Sequence, residues 1–388
     1  MFDPKEFLSK EVKMIKPSGI RKFFDVASTM KDVISLGVGE PDFVTPWHIR
    51  DAAVKSISEG RTYYTSNYGL IELRQEISKY IKETINVSYD PTDEILVTVG
   101  ASEALDIAIR SLVSQGDEVL IPEPSFVCYK PCVILSGGVP VPIVTTAEDD
   151  FKLTPEALLE NITEKTKILI LPYPNNPTGG IMTREDLKAI APIIKEKNLM
   201  VISDEIYSEL TYNMSHASIA ELPEMRDRTI VINGFSKSFA MTGWRLGYTC
   251  CHKDILSAMV KIHQYIIMSA PTLSQYASIA ALKNGRPDIE SMKEEYNMRR
   301  GFLVKELNDM GIECFNPLGA FYVFPSIKKF GLSSEEFCER LLYEEKLAIV
   351  PGNAFGDSGE GYVRISYAYS TENIAKALKR LKRFIDKL

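Results

Sequence analysis

From about Trp47 to Ala281 the chain alternates short apolar runs with amphipathic stretches. Five runs carry the pattern: ILVTVG at 95–100, EVLIPEP at 118–124, KILILPYP at 167–174, LMVISDE at 199–205 and TIVINGF at 229–235. Each is rich in Leu or β-branched residues, and each is separated from the next by enough chain for a helix or a return strand. Apolar runs without alternation mark strands covered on both faces, so the pattern predicts an α/β fold whose mostly parallel sheet is sandwiched by helices. Ligands in such sheets bind beyond the carboxyl ends of the strands.

The pattern changes after Asn284-Gly285-Arg286-Pro287. A long charged helix is predicted from about Asp288 to Met310, ending at Gly311, followed by strands at AFYVF (320–324) and GYVRISYA (361–368) and a basic amphipathic helix, ENIAKALKRLKRFI. Residues 286–388 thus read as a smaller α+β domain beside a larger one at 46–285. Residues 1–45 carry no comparable core and are expected to complete the smaller domain.

Composition narrows the classes. With 45 basic and 52 acidic residues, net −7, the chain offers no mass of positive charge for nucleic acid. No apolar stretch of bilayer length and no export-type N-terminus is seen, so a cytoplasmic protein without membrane contact is expected. The six cysteines make neither a CxxC pair nor a zinc-type spacing, which suggests reduced thiols and no metal.

Candidate chemistry collects at the predicted strand ends. In GFSKSFAMTGWRL, Lys237 leaves a strand eight positions before Arg245. A lysine here reads as a surface residue or as a Schiff-base amine, the latter needing desolvation or a nearby positive charge. An amine and a phosphate clamp together point to pyridoxal 5′-phosphate (PLP). Gly100, Ala101 and Ser102 open a helix, where free N–H groups suit a phosphate, although Ser102 reads equally well as a simple N-cap. Phe126 could stack on a planar ring or fill a core, and the Asn176 amide could donate to a ring oxygen from the turn Asn175–Gly179. Asp204 closes an apolar run, where its carboxylate fits a pyridinium N–H or a helix cap; held ionised, it would keep such a ring protonated. Tyr207 lies within a helical turn of it. In GYVRISYA the alternation sets Arg364 on one strand face, suited to a carboxylate or to solvent. Neither GxGxxG nor GxxxxGK[ST] occurs, which disfavours dinucleotides and nucleoside triphosphates.

Taken together, NNPTG, SDEIY and SKSFAMTGWRLG in this order, with SGIRKFFDVA and VISLGVGEPDF before them and GEGYVRISYA after, resemble the class I/II aminotransferases of the fold-type I PLP enzymes. The texture is most similar to bacterial and archaeal aromatic and N-acetyl-diaminopimelate aminotransferases. The resemblance implies that Lys237 carries the cofactor as a Schiff base and shuttles the proton, that Asp204 pairs with the pyridine nitrogen, and that Asn176 and Tyr207 donate to the ring oxygen. It further implies that Ala101, Ser102, Ser236 and Arg245 bind phosphate, that Phe126 stacks, and that Gly39, Asn176 and Arg364 hold the substrate. Tyr64 corresponds to a tyrosine reaching the neighbouring subunit's phosphate, which implies a homodimer with shared sites, and the segment around Ser18, Gly19 and Ile20 to a flap over the substrate. The chain departs from the family at Gly234, where a second phosphate-binding serine is usual.

The activity implied is ping-pong exchange between an amino acid and a 2-oxo acid such as 2-oxoglutarate, the donor being aromatic, N-acetyl-diaminopimelate or broad. A PLP-dependent carbon–sulfur β-lyase would use nearly the same residues and remains an alternative, as does an aspartate-type enzyme. Ser102 stands where one dicarboxylate-specific group has a lysine. A PLP-sensing regulator would need a DNA-binding domain, for which no stretch of chain is left over, and a scaffold role would leave Lys237, Asp204 and Arg364 without a joint reason.

Overall fold

The computed structural model describes residues 2–15 and 30–388. The segment around Ser18, Gly19 and Ile20, expected to cover the substrate, lies outside the described residues. Twelve strands occur among the described residues: β1 (Ile34–Ser35), β2 (Ile95–Thr98), β3 (Glu118–Glu123), β4 (Val139–Val144), β5 (Thr166–Leu171), β6 (Met200–Asp204), β7 (Thr229–Gly234), β8 (Gly247–Cys250), β9 (Tyr322–Val323), β10 (Leu347–Ala348), β11 (Val350–Pro351) and β12 (Val363–Ser366). Seven form one sheet in the order β2-β8-β7-β6-β5-β3-β4. Strands β3 to β7 pair in parallel, whereas β8 lies antiparallel between β7 and β2. Because β2 and β7 both oppose β8, the five predicted runs all point one way and their carboxyl ends share one edge.

Burial explains the unbroken apolar runs. Successive residues of a strand face opposite sides, and in β5 Ile168 and Ile170 enter one core while Leu169 and Leu171 enter another. The Gly100–Leu112 helix covers the first side through Leu105 and Ile109, and the Arg184–Glu196 helix covers the second through Leu187, Ile190 and Ile194. The latter helix starts where Thr183 and Asp186 cap each other's backbone N–H. Truncating a fully buried residue such as Leu169 to alanine would cost about 2–5 kcal/mol.

Two strands of the large sheet escaped the hydrophobic pattern. β4, VPVPIV, is an edge strand with several exposed positions, and its Pro140 and Pro142 are tolerated because an edge leaves one side of the backbone unpaired. β8 is only four residues long and begins just after the Lys237–Arg245 loop, too short a run to stand out as a strand. The predicted breaker at 284–287 is also shorter than expected. The Thr272–Asn284 helix stops at Gly285, and the next runs Arg286–Asp309 with Pro287 in its first turn, where a missing N–H costs nothing.

Residues 34–36 pack against the C-terminal quarter of the chain. β1 pairs in parallel with β10, aligning Ile34 with Leu347, and Leu36 enters a core with Ile349 and Phe384. Beside it β11, β12 and β9 form an antiparallel sheet in which Arg364 sits opposite Val350. The Thr371–Ile385 helix closes this core with Ile374, Ala377, Leu378, Leu381 and Phe384, a helical-period stripe.

Candidate active site

The shared carboxyl edge of the large sheet opens into a cavity of about 880 Å³, closed on its other sides by the Gly37–Glu40 segment and by Tyr322 and Arg364. Every site residue expected on this chain's own cavity lines it: Gly39, Ala101, Ser102, Phe126, Asn176, Asp204, Tyr207, Ser236, Lys237, Arg245 and Arg364. Tyr64 does not. It is 82% exposed, on a loop outside this chain's own cavity.

Lys237 follows β7 directly, which carries it from a fully buried strand into the cavity. Its Nζ donates to the Gly39 carbonyl at 2.6 Å and stands 5.8 and 5.7 Å from the ring centres of Tyr207 and Phe321. Burial among these rings pulls the amine down to about 8; Glu40 opposes that shift, and Arg364 and Arg245 add to it. The amine is therefore neutral in a substantial fraction of molecules near pH 8, as a nucleophile requires.

Asp204 ends β6, 8% exposed. Its Oδ2 accepts from the Tyr129 hydroxyl at 2.8 Å and its Oδ1 from the Ile206 N–H at 3.3 Å. Desolvation nevertheless raises its pKa, the two hydrogen bonds pulling only partly the other way. The expectation that the carboxylate is held ionised is thus refined: the protein alone pushes it toward the neutral form, and a cation bound against it restores the charge. Tyr129 was not singled out from the sequence, although it lies one helical turn beyond Phe126 and the two rings meet edge-on at 5.9 Å.

Arg364 is 4% exposed, with its guanidinium 4.5 Å from the Tyr322 ring and 4.7 Å from the Phe355 ring. One of its terminal nitrogens donates to Asn176 Oδ1 at 2.8 Å, another to the Gly37 carbonyl, and its buried Nε has no partner among the described residues. Engaging Asn176 through its oxygen turns the amide so that its NH₂ is left to donate. An unpartnered donor on a buried cation is costly; the arginine is built to receive an anion that brings the missing acceptors. Tyr322, whose hydroxyl lies 2.8 Å from that of Tyr207, was also missed because AFYVF read only as a core strand.

The remaining corner is an anion cradle. Gly100, at φ +75°, starts the helix whose next residues are Ala101 and Ser102, and a Cβ on it would lie 2.6 Å from Nη2 of Arg245. The guanidinium therefore lies against the backbone of a helix N-terminus, where free N–H groups and the helix dipole already favour negative charge. Glu103 secures this turn, accepting from the Val99 N–H and meeting His263 Nδ1 at 2.6 Å. At Gly234 a Cβ would come within 3.0 Å of Gly247 Cα, so the close approach of β7 and β8 leaves little room for the serine usual in the resembled family.

A neutralisable amine, a buried carboxylate needing a cation, an arginine lacking an acceptor and a separate phosphate cradle around one cavity fit PLP, whose aldehyde, ring nitrogen and phosphate have those demands. The fold and site define a PLP-dependent enzyme of fold type I. Residues 31–381 match the family model "Aminotransferase class I and II", and the chain belongs to that family. It is 47% identical to an aspartate aminotransferase of Pyrococcus abyssi over 97% of this chain and 98% of that protein. Its identity to a probable N-acetyl-LL-diaminopimelate aminotransferase of Bacillus subtilis is 46%, covering 97% and 95%. The crystal structure of an aromatic aminotransferase from Pyrococcus horikoshii superposes with a TM-score of 0.90 at 45% identity, over 94% of this chain and 99% of that one. The protein is an aminotransferase that acts on amino acids and 2-oxo acids with PLP. No described helix is long and apolar enough to cross a membrane.

Proposed function

We propose that this enzyme exchanges the amino group of aromatic and other long apolar amino acids with 2-oxoglutarate, with N-acetyl-diaminopimelate within a broad donor range. The observation that carries the donor assignment is the charge of the lining. Among the described residues of the cavity the only cations are Lys237, Arg245 and Arg364, each accounted for by the amine, the phosphate cradle or the α-carboxylate. Phe126, Tyr129 and Tyr322 supply an aromatic wall instead. Ser102 offers a hydroxyl but no charge to a second carboxylate, so the distal group of 2-oxoglutarate would rest on neutral donors, an arrangement that gives a dicarboxylate donor no advantage over an aromatic one.

PLP, when bound, supplies the carbonyl that carries the amino group and a ring that withdraws electrons from the substrate α-carbon. The protein does the rest. Lys237 Nζ, neutral in a substantial fraction of molecules near pH 8, would accept the proton of the substrate α-carbon and hand it back, a shuttle its single flexible amine permits. Asp204 holds the ring nitrogen protonated, with the Tyr129 hydroxyl fixing the carboxylate. Asn176 and Tyr207 donate to the ring oxygen, Phe126 covers one ring face, and Ala101, Ser102, Ser236 and Arg245 hold the phosphate. Arg364, with Gly39 and Asn176, clamps the α-carboxylate and so orients the bond to be broken.

We further propose residues 46–285 as a cofactor-binding domain and 1–45 with 286–388 as a smaller one, the active form being a homodimer in which Tyr64 reaches the partner's phosphate. Tyr63, Tyr64 and Tyr265 are each more than 80% exposed, and Thr272 ties the Tyr63 loop to the segment that follows Tyr265. Exposed aromatics in such number support a covered surface. Six unpaired thiols support a cytoplasmic location.

The test is a panel of amino donors with 2-oxoglutarate, scored by glutamate formed. Phenylalanine and tyrosine turned over well ahead of aspartate is the expected result, and aspartate ahead of both would overturn the assignment. Pyruvate and ammonia released from a cysteine conjugate without any oxo acid would instead identify a β-lyase.

A further inference from the structure

Two of the six cysteines stand apart from the rest. Cys250, Cys251, Cys314 and Cys338 are buried, whereas Cys128 and Cys132 are partly exposed. Cys128 caps the Tyr129–Leu135 helix in helical conformation, and the Cys132 N–H donates to its carbonyl at 3.1 Å. The two side chains therefore rise one turn apart on the same helix face. Cys128 also lines the active-site cavity between Phe126 and Tyr129, while Cys132 lies behind it, outside the lining.

We propose that Cys128 and Cys132 form a two-thiol site for soft, thiophilic electrophiles that bridge both sulfurs, trivalent arsenic being the model ligand, and that occupancy closes the cavity wall beside Phe126. Spacing selects the class. Side chains one helical turn apart hold their Cβ atoms about 5–6 Å from each other, whereas a disulfide needs about 3.5–4.5 Å. A bridging atom spans the longer gap without unwinding the turn. Interaction between the two thiols pulls Cys132 below the ordinary thiol value, with Arg110 assisting, and together with burial pushes Cys128 up, which makes Cys132 the first nucleophile. With an organoarsenic oxide the balance closes without redox chemistry: two S–As bonds form, the As–O bond breaks, and oxygen leaves as water with both thiol protons.

The experiment treats the holoenzyme with phenylarsine oxide and reads intact mass, native thiol titration and transamination. One arsenical per chain is expected, with loss of both rapidly titrating thiols, resistance to excess monothiol, reversal by 2,3-dimercaptopropanol and loss of most activity. Cys132→Ser, outside the cavity, should keep its activity, take up a monothiol-labile adduct only and resist inhibition. A monothiol-resistant adduct on Cys132→Ser would overturn the proposal. So would an oxidant that closes a Cys128–Cys132 disulfide while the arsenical forms no stable adduct, or a bridging adduct that leaves activity intact. Because the adduct is read by mass, it stands or falls apart from the donor range proposed above.

Discussion

At the scale of single residues, the site's chemistry follows from burial working against charge. Lys237 is held at about 8 by desolvation, so its neutral fraction grows as pH rises through that value. Uptake of PLP by the cofactor-free protein should therefore accelerate from pH 6.5 to about 8.5 and then level, followed by absorbance; a rise continuing to the ordinary lysine range would contradict the shift. For Asp204 the sign is opposite. Burial raises its pKa and the Tyr129 hydroxyl lowers it, so Tyr129→Phe should raise it further. The acid limb of kcat/KM should move up in pH, with the basic limb unmoved. Arg364→Gln keeps length but removes charge, and a loss of about 2–5 kcal/mol in transition-state binding is expected for donor and acceptor alike, measured as kcat/KM for both half-reactions.

At the scale of elements, the phosphate cradle depends on how closely β8 approaches the start of the Gly100–Leu112 helix. A Cβ on Gly247 would lie 2.6 Å from both the Ala101 nitrogen and the Gly100 carbonyl carbon, backbone atoms that cannot swing aside. Gly247→Ala should destabilise the fold by about 1–3 kcal/mol and weaken PLP binding by more than it slows turnover at saturating cofactor. Gly301→Ala is the control: among the described residues nothing lies within 4 Å of where its Cβ would be, in the middle of the Arg286–Asp309 helix. It should stabilise by roughly 0.5–1 kcal/mol in urea melts and leave cofactor affinity unchanged.

At the scale of the whole molecule, Tyr64 tests the assembly. Its ring is exposed on the single chain, so mixing Tyr64→Phe chains with Lys237→Ala chains should regenerate some sites with both residues native. Activity above either parent is expected after co-refolding, and none would leave the shared site without support.

Much of this was legible before any coordinates. Unbroken apolar runs imply strands covered on both faces, and a strand end is where a lysine, an aspartate or an asparagine can be both fixed and open to a ligand. That logic singled out Lys237, Asp204, Asn176 and Ser102 as candidates, and folding brings all four to one cavity. What local sequence could not carry is whatever depends on residues far apart in the chain. β8 is antiparallel because it fills the space between β2 and β7, and four residues hold no mark of their neighbours. Tyr129 and Tyr322 became site residues only when folding set their hydroxyls against Asp204 and Tyr207. The upward shift of the Asp204 carboxyl likewise belongs to the assembled cavity, since the same group in water would keep its ordinary value. Residue types and their periodicity thus determined which chemistry the chain holds; the packing of distant segments set the distances and the dielectric in which that chemistry runs, because electrostatics depends on what surrounds a charge and not on its place in the sequence.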